Sequence, residues 1–292
     1  MKDMNFTTVK RLSFAIIMIA LLTYAATSVR YPEAFLVEDQ EIDEASGLAA
    51  SRQNPGLLYT HNDSGGKNVV YVLNSVGESL GRLVLDGIKN RDWEDIAMGS
   101  GPDKSQSYIY LGEIGDNRAI HKSIYVYRFA EPKLQGENPG FSINIHEIDK
   151  LEITYEDGAR DAEALFVDPQ TADIYIISKR EEQVGLYRVN YPQSTTAINV
   201  ARKVATLPFS MVTAADISPD GKKILVKTYT GVWQWKVKRG KTIDAAFAAN
   251  PKAMKYRIEP QGEAVAWDAR GKGYYTLSER NPDYPLYLYY YR

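Results

Sequence analysis

One phrase, written five times along the chain, limits what this sequence can fold into. Its fullest form is Arg91-Asp92-Trp93-Glu94-Asp95-Ile96-Ala97, where acids lead directly into a short alternating apolar run. Echoes stand at Asp43-Glu44-Ala45-Ser46-Gly47-Leu48, Arg160-Asp161-Ala162-Glu163-Ala164-Leu165, Thr213-Ala214-Ala215-Asp216-Ile217 and Gln261-Gly262-Glu263-Ala264-Val265. Aligned on Leu48, Ile96, Leu165, Ile217 and Val265, they recur at steps of 48, 69, 52 and 48 residues. Self-similarity at such a period marks stacked or radially repeated units, each too small to bury its own apolar faces.

Each repeat reads as short strands separated by turn residues. In the first, Gly47–Ser51, Gly56–Thr60, Val69–Leu73 and Leu80–Leu85 are divided by Asn54-Pro55-Gly56, Asp63-Ser64-Gly65-Gly66 and Ser75-Val76-Gly77. An insertion at 131–139 accounts for the long second step, and the Ala-rich stretch from Ile243 to Ala249 reads as one short helix. The fifth repeat is one strand short, while residues 34–42 are strand-like and precede the first repeat. An N-terminal strand completing the last unit would close a ring and remove an exposed edge. The expectation is an all-β chain, a β-propeller of five blades with four strands each, with six blades as the alternative. With 21 tyrosines and 11% aromatic residues, the composition suits packed strands.

Charge and composition narrow the function. The 35 basic and 37 acidic side chains give a net charge of −2, which argues against a nucleic-acid partner, and the lack of cysteine excludes thiol chemistry. Lys2, Lys10 and Arg11 precede an apolar run from Leu12 to Leu22, and small residues follow at Ala25-Ala26-Thr27-Ser28. This order describes a secretory signal over residues 1–28, leaving a single β-propeller domain over 29–292 that works in the periplasm or outside the cell. The run is shorter than the roughly 20 residues a spanning helix needs, so stable membrane insertion follows only if the segment stays uncleaved.

In a propeller, the loops leading into strand one and those leaving strand two lie on one face. Those loops collect the unusual residues of this chain: acids around Glu94, Asp95, Asp161, Glu163 and Glu263, bases at Arg91, Arg160, Lys179, Arg180 and Arg280, and the pair His61 and Asp63. Carboxylates converging on one axis repel unless a cation offsets them, and an all-oxygen set suits calcium. On this reading the five acids hold Ca2+, the five bases hold a small anionic substrate or ligand, and His61 or Asp63 handles the proton. The plainer reading has the acids bonding backbone N–H groups where strands begin, with the bases as their salt-bridge partners. Serine-hydrolase, zinc-protease and nucleotide-binding motifs are absent from the sequence.

The succession Asn62-Asp63-Ser64-Gly65, Asp92-Trp93-Glu94-Asp95-Ile96-Ala97, Gly115-Asp116-Asn117, Asp161-Ala162-Glu163-Ala164-Leu165 and Gly262-Glu263-Ala264-Val265-Ala266 resembles a group of uncharacterised secreted bacterial β-propellers. That group is placed beside the phytase-like esterase propellers, and the resemblance spans residues 34–292. It implies a calcium-dependent ester or phosphoester hydrolase with Glu94, Asp95, Asp161, Glu163 and Glu263 as the matching acids. Two departures stand out: phytases have six blades and a denser set of bases, and the fourth repeat has Ala215 where others place an acid. Lactone-hydrolysing propellers also surround calcium with acids and Asn, so a metal alone does not choose the reaction. A non-catalytic propeller binding a ligand or protein through the same face is the alternative function.

Overall fold

The computed structural model describes residues 32–292, so the proposed signal over 1–28 lies outside the described residues. Among the described residues, no helix is long and apolar enough to cross a membrane. The protein is all-β. Strand β1 (Glu33–Leu36) precedes a first unit of β2 (Ala45–Ala50), β3 (Leu57–Asn62), β4 (Val69–Asn74) and β5 (Ser79–Leu85). The second unit contains β6 (Trp93–Ser100), β7 (Ser107–Glu113) and β8 (Ile124–Ala130), followed by β9 (Phe141–Ile145) and β10 (Asp149–Tyr155). The third is β11 (Ala162–Val167), β12 (Ile174–Ser178), β13 (Gly185–Val189) and β14 (Asn199–Thr206). The fourth is β15 (Val212–Ile217), β16 (Lys223–Thr228), β17 (Gly231–Lys236), a single helical turn α1 (Ile243–Ala246) and β18 (Lys252–Ala253). The fifth is β19 (Gly262–Trp267), β20 (Tyr274–Ser278) and β21 (Tyr287–Tyr291).

Within each unit neighbouring strands pair antiparallel, in the second unit in the order β6-β7-β8-β10. The first strands form a cycle of contacts: β2 on β6, β6 on β11, β11 on β15, β15 on β19, and β19 back on β2. Both faces of these strands are buried, and this is why their sequences are nearly continuous runs of small and apolar residues. Each of the five hydrophobic clusters is shared by two neighbouring units. Leu48 packs with Ala264 and Leu277 of the fifth unit, whereas Ala49 on the other face packs with Ile96 and Met98 of the second. The remaining clusters join units two and three, three and four, and four and five.

The missing strand of the fifth unit comes from the N-terminal side. β1 pairs antiparallel with β21, from Glu33 opposite Tyr290 to Leu36 opposite Tyr287, giving the order β1-β21-β20-β19. The strand is shorter than the 34–42 stretch anticipated. Beyond it the chain crosses to the first unit, burying Val37 and Ile42, and Arg280 donates hydrogen bonds to the Val37, Asp39 and Ile42 carbonyl oxygens.

The insertion in the second unit has a use that its sequence did not reveal. It leads into β9, which adds in parallel to the outer edge of β5 in the first unit. β10 likewise pairs in parallel with β14, merging units two and three into one eight-stranded sheet. Glu131, at the root of the insertion, is buried and accepts hydrogen bonds from the Gln53 backbone N–H at 3.1 Å and the Tyr59 hydroxyl at 3.0 Å.

Candidate functional site

Every first strand is broken at the same place. The pairing with the second strand slips by one residue between Ala45 and Gly47, Trp93 and Asp95, Ala162 and Ala164, Val212 and Ala214, and Gly262 and Ala264. A β-bulge leaves one residue unpaired and redirects its side chain. The five bulged residues are therefore Ser46, Glu94, Glu163, Thr213 and Glu263. Two carry hydroxyls that stay within the ring, Ser46 Oγ donating to Glu94 O at 2.7 Å and Thr213 Oγ1 to Gly262 O at 3.4 Å. The other three are glutamates, 2–4% exposed, each offering a carboxylate oxygen within 4.8 Å of the other two.

These bulges correct the sequence alignment in the fourth repeat. Thr213 occupies the glutamate position, so the residue equivalent to Leu48, Ile96, Leu165 and Val265 is Ala215, not Ile217. Asp216 then falls inside the strand. It is buried and accepts from Ile217 N at 2.8 Å and Trp267 N at 2.7 Å, tying β15 to β19.

Asp95, expected among the metal ligands, has the same bracing role. Its Oδ1 accepts from Ile96 N at 2.8 Å, and its Oδ2 from Leu165 N at 2.8 Å and Ala215 N at 3.2 Å, so one carboxylate joins β6, β11 and β15. Gly47, Ala164, Ala214 and Ala264 stand at the matching positions, small residues that leave room at the centre. Burial raises the Asp95 carboxyl well above its ordinary range against the pull of three N–H donors. For Asp95 and Asp216 the plainer reading, acids that bond backbone, describes the structure. Asp161 is also tied, accepting from Asp116 N at 3.0 Å and paired with Arg180 Nε at 2.5 Å.

The three glutamates open into a pocket of about 480 Å³, lined as well by Asp63, Asn117, Lys179, Tyr229, Glu259 and Glu279. Asp63, Lys179, Tyr229 and Glu279 each follow the last residue of a second strand, β3, β12, β16 or β20. The gathering of these loops on one face, anticipated from the repeat, is what forms the pocket. Lys179 Nζ contacts Glu163 Oε1 at 2.5 Å, and the Tyr229 hydroxyl donates to Glu263 Oε1 at 2.6 Å. Glu163 Oε2 has no hydrogen-bond partner although the residue is only 3% exposed. Asp63, Asp92 and Glu94 form a second acidic grouping beside the first. Gly115 makes room there, since a Cβ at that position would collide with Glu94 Oε1 and Asp92 Oδ2.

The predicted bases divide. Of the five, Lys179 lines the pocket. Arg180 stands on a neighbouring depression with Arg118 and Asp161. Arg91 pairs with buried Glu113 at 3.6 Å, Arg160 is held by Asp157 at 2.6 Å and Glu181 at 3.0 Å, and Arg280 is spent on the N-terminal segment. His61, a predicted proton carrier, is fully buried and absent from the pocket wall. Its Nδ1 lies 3.0 Å from Asn62 O, its ring meets Trp93 edge-on, and burial lowers its pKa to about 4. It acts as a packing residue in the gap that Gly47 leaves. Asn117, Tyr229, Glu259 and Glu279 line the pocket without having been predicted as site residues. Glu279 and Tyr229 do lie in the flagged loops, whereas Glu259 precedes its repeat without a distinguishing pattern.

The acids of the pocket resist ionisation. Burial is the main cause for Asp63, pushed up to about 6, and for Glu279, pushed up to about 7. Glu94 is raised well above its usual range, first by burial and then by Glu163; Glu163 is raised by burial and Glu263, with Lys179 pulling it back. Asp63 and Glu279 thus keep protons in the folded protein at pH values where the unfolded chain has released them. The folded state binds more protons between about pH 4 and 7, so stability falls as pH rises through that window. In chelator, the melting temperature is expected to be higher near about pH 5.5 than at about pH 8. A flat or opposite trend in thermal unfolding would remove this account of the pocket.

The donor set fits a hard divalent cation. Oxygens that ligate one calcium at about 2.4 Å lie at most about 4.8 Å apart, and the unpartnered Glu163 oxygen is free to ligate. No family model matches the chain, and no curated protein does.

Proposed function

We propose that the chain is an exported five-bladed β-propeller that binds calcium at Glu94, Glu163 and Glu263 and hydrolyses a neutral, lactone-like ester in the pocket above them. The cycle of first-strand contacts and the five clusters between neighbouring units support the propeller. The observation that carries the metal is the buried glutamate triangle with its unpartnered oxygen. When bound, such a cation supplies Lewis acidity to an ester carbonyl and acidifies a water. Lys179 and Tyr229 hold Glu163 and Glu263 in place, and Asp63, with its pKa near 6, accepts a proton close to neutral pH.

Charge selects the lactone over the phosphoester. Six acids and one lysine line the pocket, and that lysine is already paired with Glu163. A phosphoester entering there meets repulsion that one divalent ion only partly offsets, whereas a neutral ester does not. The expected result is chelator-sensitive hydrolysis of aliphatic lactones, with Asp63→Asn lowering kcat by about 100-fold or more and p-nitrophenyl phosphate turned over poorly. Calcium-dependent phosphatase activity without lactonase activity would reverse the choice, and no hydrolysis of either class would leave a binding protein.

A further inference from the structure

The acidic pocket has a counterpart of opposite charge at the other end of the same strands. β12 and β16 end beside the glutamates, and both begin beside a cleft of about 690 Å³ between units three and four. One wall is the turn between β11 and β12. The other is the turn before β16 together with the segment that follows β17. Five bases and two acids line this cleft, against one lysine and six acids in the acidic pocket.

The local sequence explains the concentration of charge. Lys236-Val237-Lys238-Arg239-Gly240-Lys241 holds four bases and no acid. Lys241 N donates to Lys238 O at 2.9 Å, and Gly240 takes φ +73°, the left-handed conformation that such a turn needs at its third position. Lys238, Arg239 and Lys241 are thereby gathered on one turn at the cleft, and Val237 N donates to Lys222 O at 2.9 Å, which brings Lys222 alongside. Gly221 seats this edge against unit three, where a Cβ would lie 3.2 Å from Pro169. The remaining charges are engaged. Arg188 pairs with Asp244 at 2.7 Å and Lys222 with Asp220 at 3.2 Å. Asp168 accepts from Gln170 N at 2.8 Å and Thr171 Oγ1 at 3.1 Å, and Asp173 from Tyr191 N at 2.8 Å. Lys238, Arg239 and Lys241 enter no ion pair among the described residues. Three cations on one short turn repel one another, and a ligand with several negative charges relieves that repulsion.

We infer that this cleft binds a ligand carrying phosphate groups, either a free oligophosphate or the headgroups of an anionic lipid. An oligophosphate brings a charge on every unit and accepting oxygens on all sides, which matches two ammonium groups and a guanidinium held close together. A single carboxylate neutralises only one of the three. The site is independent of the calcium reading, since the two linings share no residue.

The test is calorimetric titration of the full chain with tripolyphosphate in chelator at low salt, with acetate as the singly charged control. Tripolyphosphate is expected to bind, more weakly as salt rises, and acetate is not. The variant Lys238→Glu/Arg239→Glu/Lys241→Glu should weaken binding by about tenfold or more, because it sets like charges against the ligand. All three positions are exposed, so the variant is expected to melt at the wild-type temperature. Lys122→Glu/Lys133→Glu/Lys203→Glu makes the same change in net charge at exposed positions outside the cleft and should bind as the wild type does. Sedimentation with phosphatidylglycerol vesicles, and with phosphatidylcholine vesicles as the neutral control, separates the two sources. Phosphatidylglycerol-dependent binding that the cleft variant loses assigns the site to a lipid surface, whereas cleft-dependent binding of tripolyphosphate alone assigns it to a free ligand. No binding of either phosphate source, binding matched by acetate, or equal weakening in the two triple variants overturns the proposal.

Discussion

Asp95→Ala is expected to destabilise the protein by about 3–5 kcal/mol, because three backbone N–H groups lose their shared acceptor and two of them lie on other units. Each buried donor left without a partner costs about 1–3 kcal/mol, and water has no ready path to a residue that is 0% exposed. The total is a large share of the 5–15 kcal/mol typical of folded domains. Denaturant unfolding should show a lower midpoint with an unchanged slope. Asp95→Asn keeps one accepting oxygen and should cost less. Changes within about 0.5 kcal/mol for Asp95→Ala would mean that this carboxylate does not hold the three strands together.

Removing residues 33–42 should have an effect of similar size or larger. The deletion takes away the whole β1–β21 ladder and the fully buried side chains of Val37 and Ile42, each of which contributes about 1.5–3 kcal/mol by burial. It also bares the edge of β21, a template for pairing with other chains. The expected outcome is aggregation on expression or a protein unfolded at ambient temperature. Arg280→Ala, which removes only the clamp on that segment, should lower the melting temperature while keeping the protein soluble. A soluble deletion variant with unchanged melting would show that the N-terminal strand is dispensable.

Much of this architecture is legible in the sequence because the repeat is a packing repeat. Leu48, Ile96, Leu165 and Val265 all face the preceding unit, so their spacing reports the ring directly. The missing outer strand was legible too, since the fifth repeat stops short and residues 34–42 read as strand, although only its first part pairs, within β1. The bulges were not. Regular alternation places Glu94 and Asp95 on opposite faces but cannot say which one reaches the pocket. One unpaired residue decides that Glu94 lines it and Asp95 braces the backbone. The same blindness shifted the fourth repeat by two residues, because Asp216 looks more like the repeated acid than Thr213 does. The bases were misjudged for a related reason. Arg160 and Arg280 sit in the right loops, but their long side chains bend back to acids or carbonyl oxygens that sequence spacing does not reveal.

The central claim is that three bulges deliver Glu94, Glu163 and Glu263 to one cation. Its most direct test is thermal unfolding of the wild-type chain and of Glu163→Gln, each in chelator and in calcium. A ligand that binds the folded state alone contributes about 2.7 kcal/mol at a hundred times Kd. For a chain of this size that corresponds to a rise of roughly 5–10 °C. The wild-type protein is predicted to show this rise with calcium and a smaller one with magnesium, which demands stricter geometry. Glu163→Gln should show almost none while remaining folded in chelator, since the Gln side chain keeps an oxygen for Lys179 as one member of the repelling group is lost. A wild-type melting temperature indifferent to calcium, or a full calcium response in Glu163→Gln, would contradict the claim.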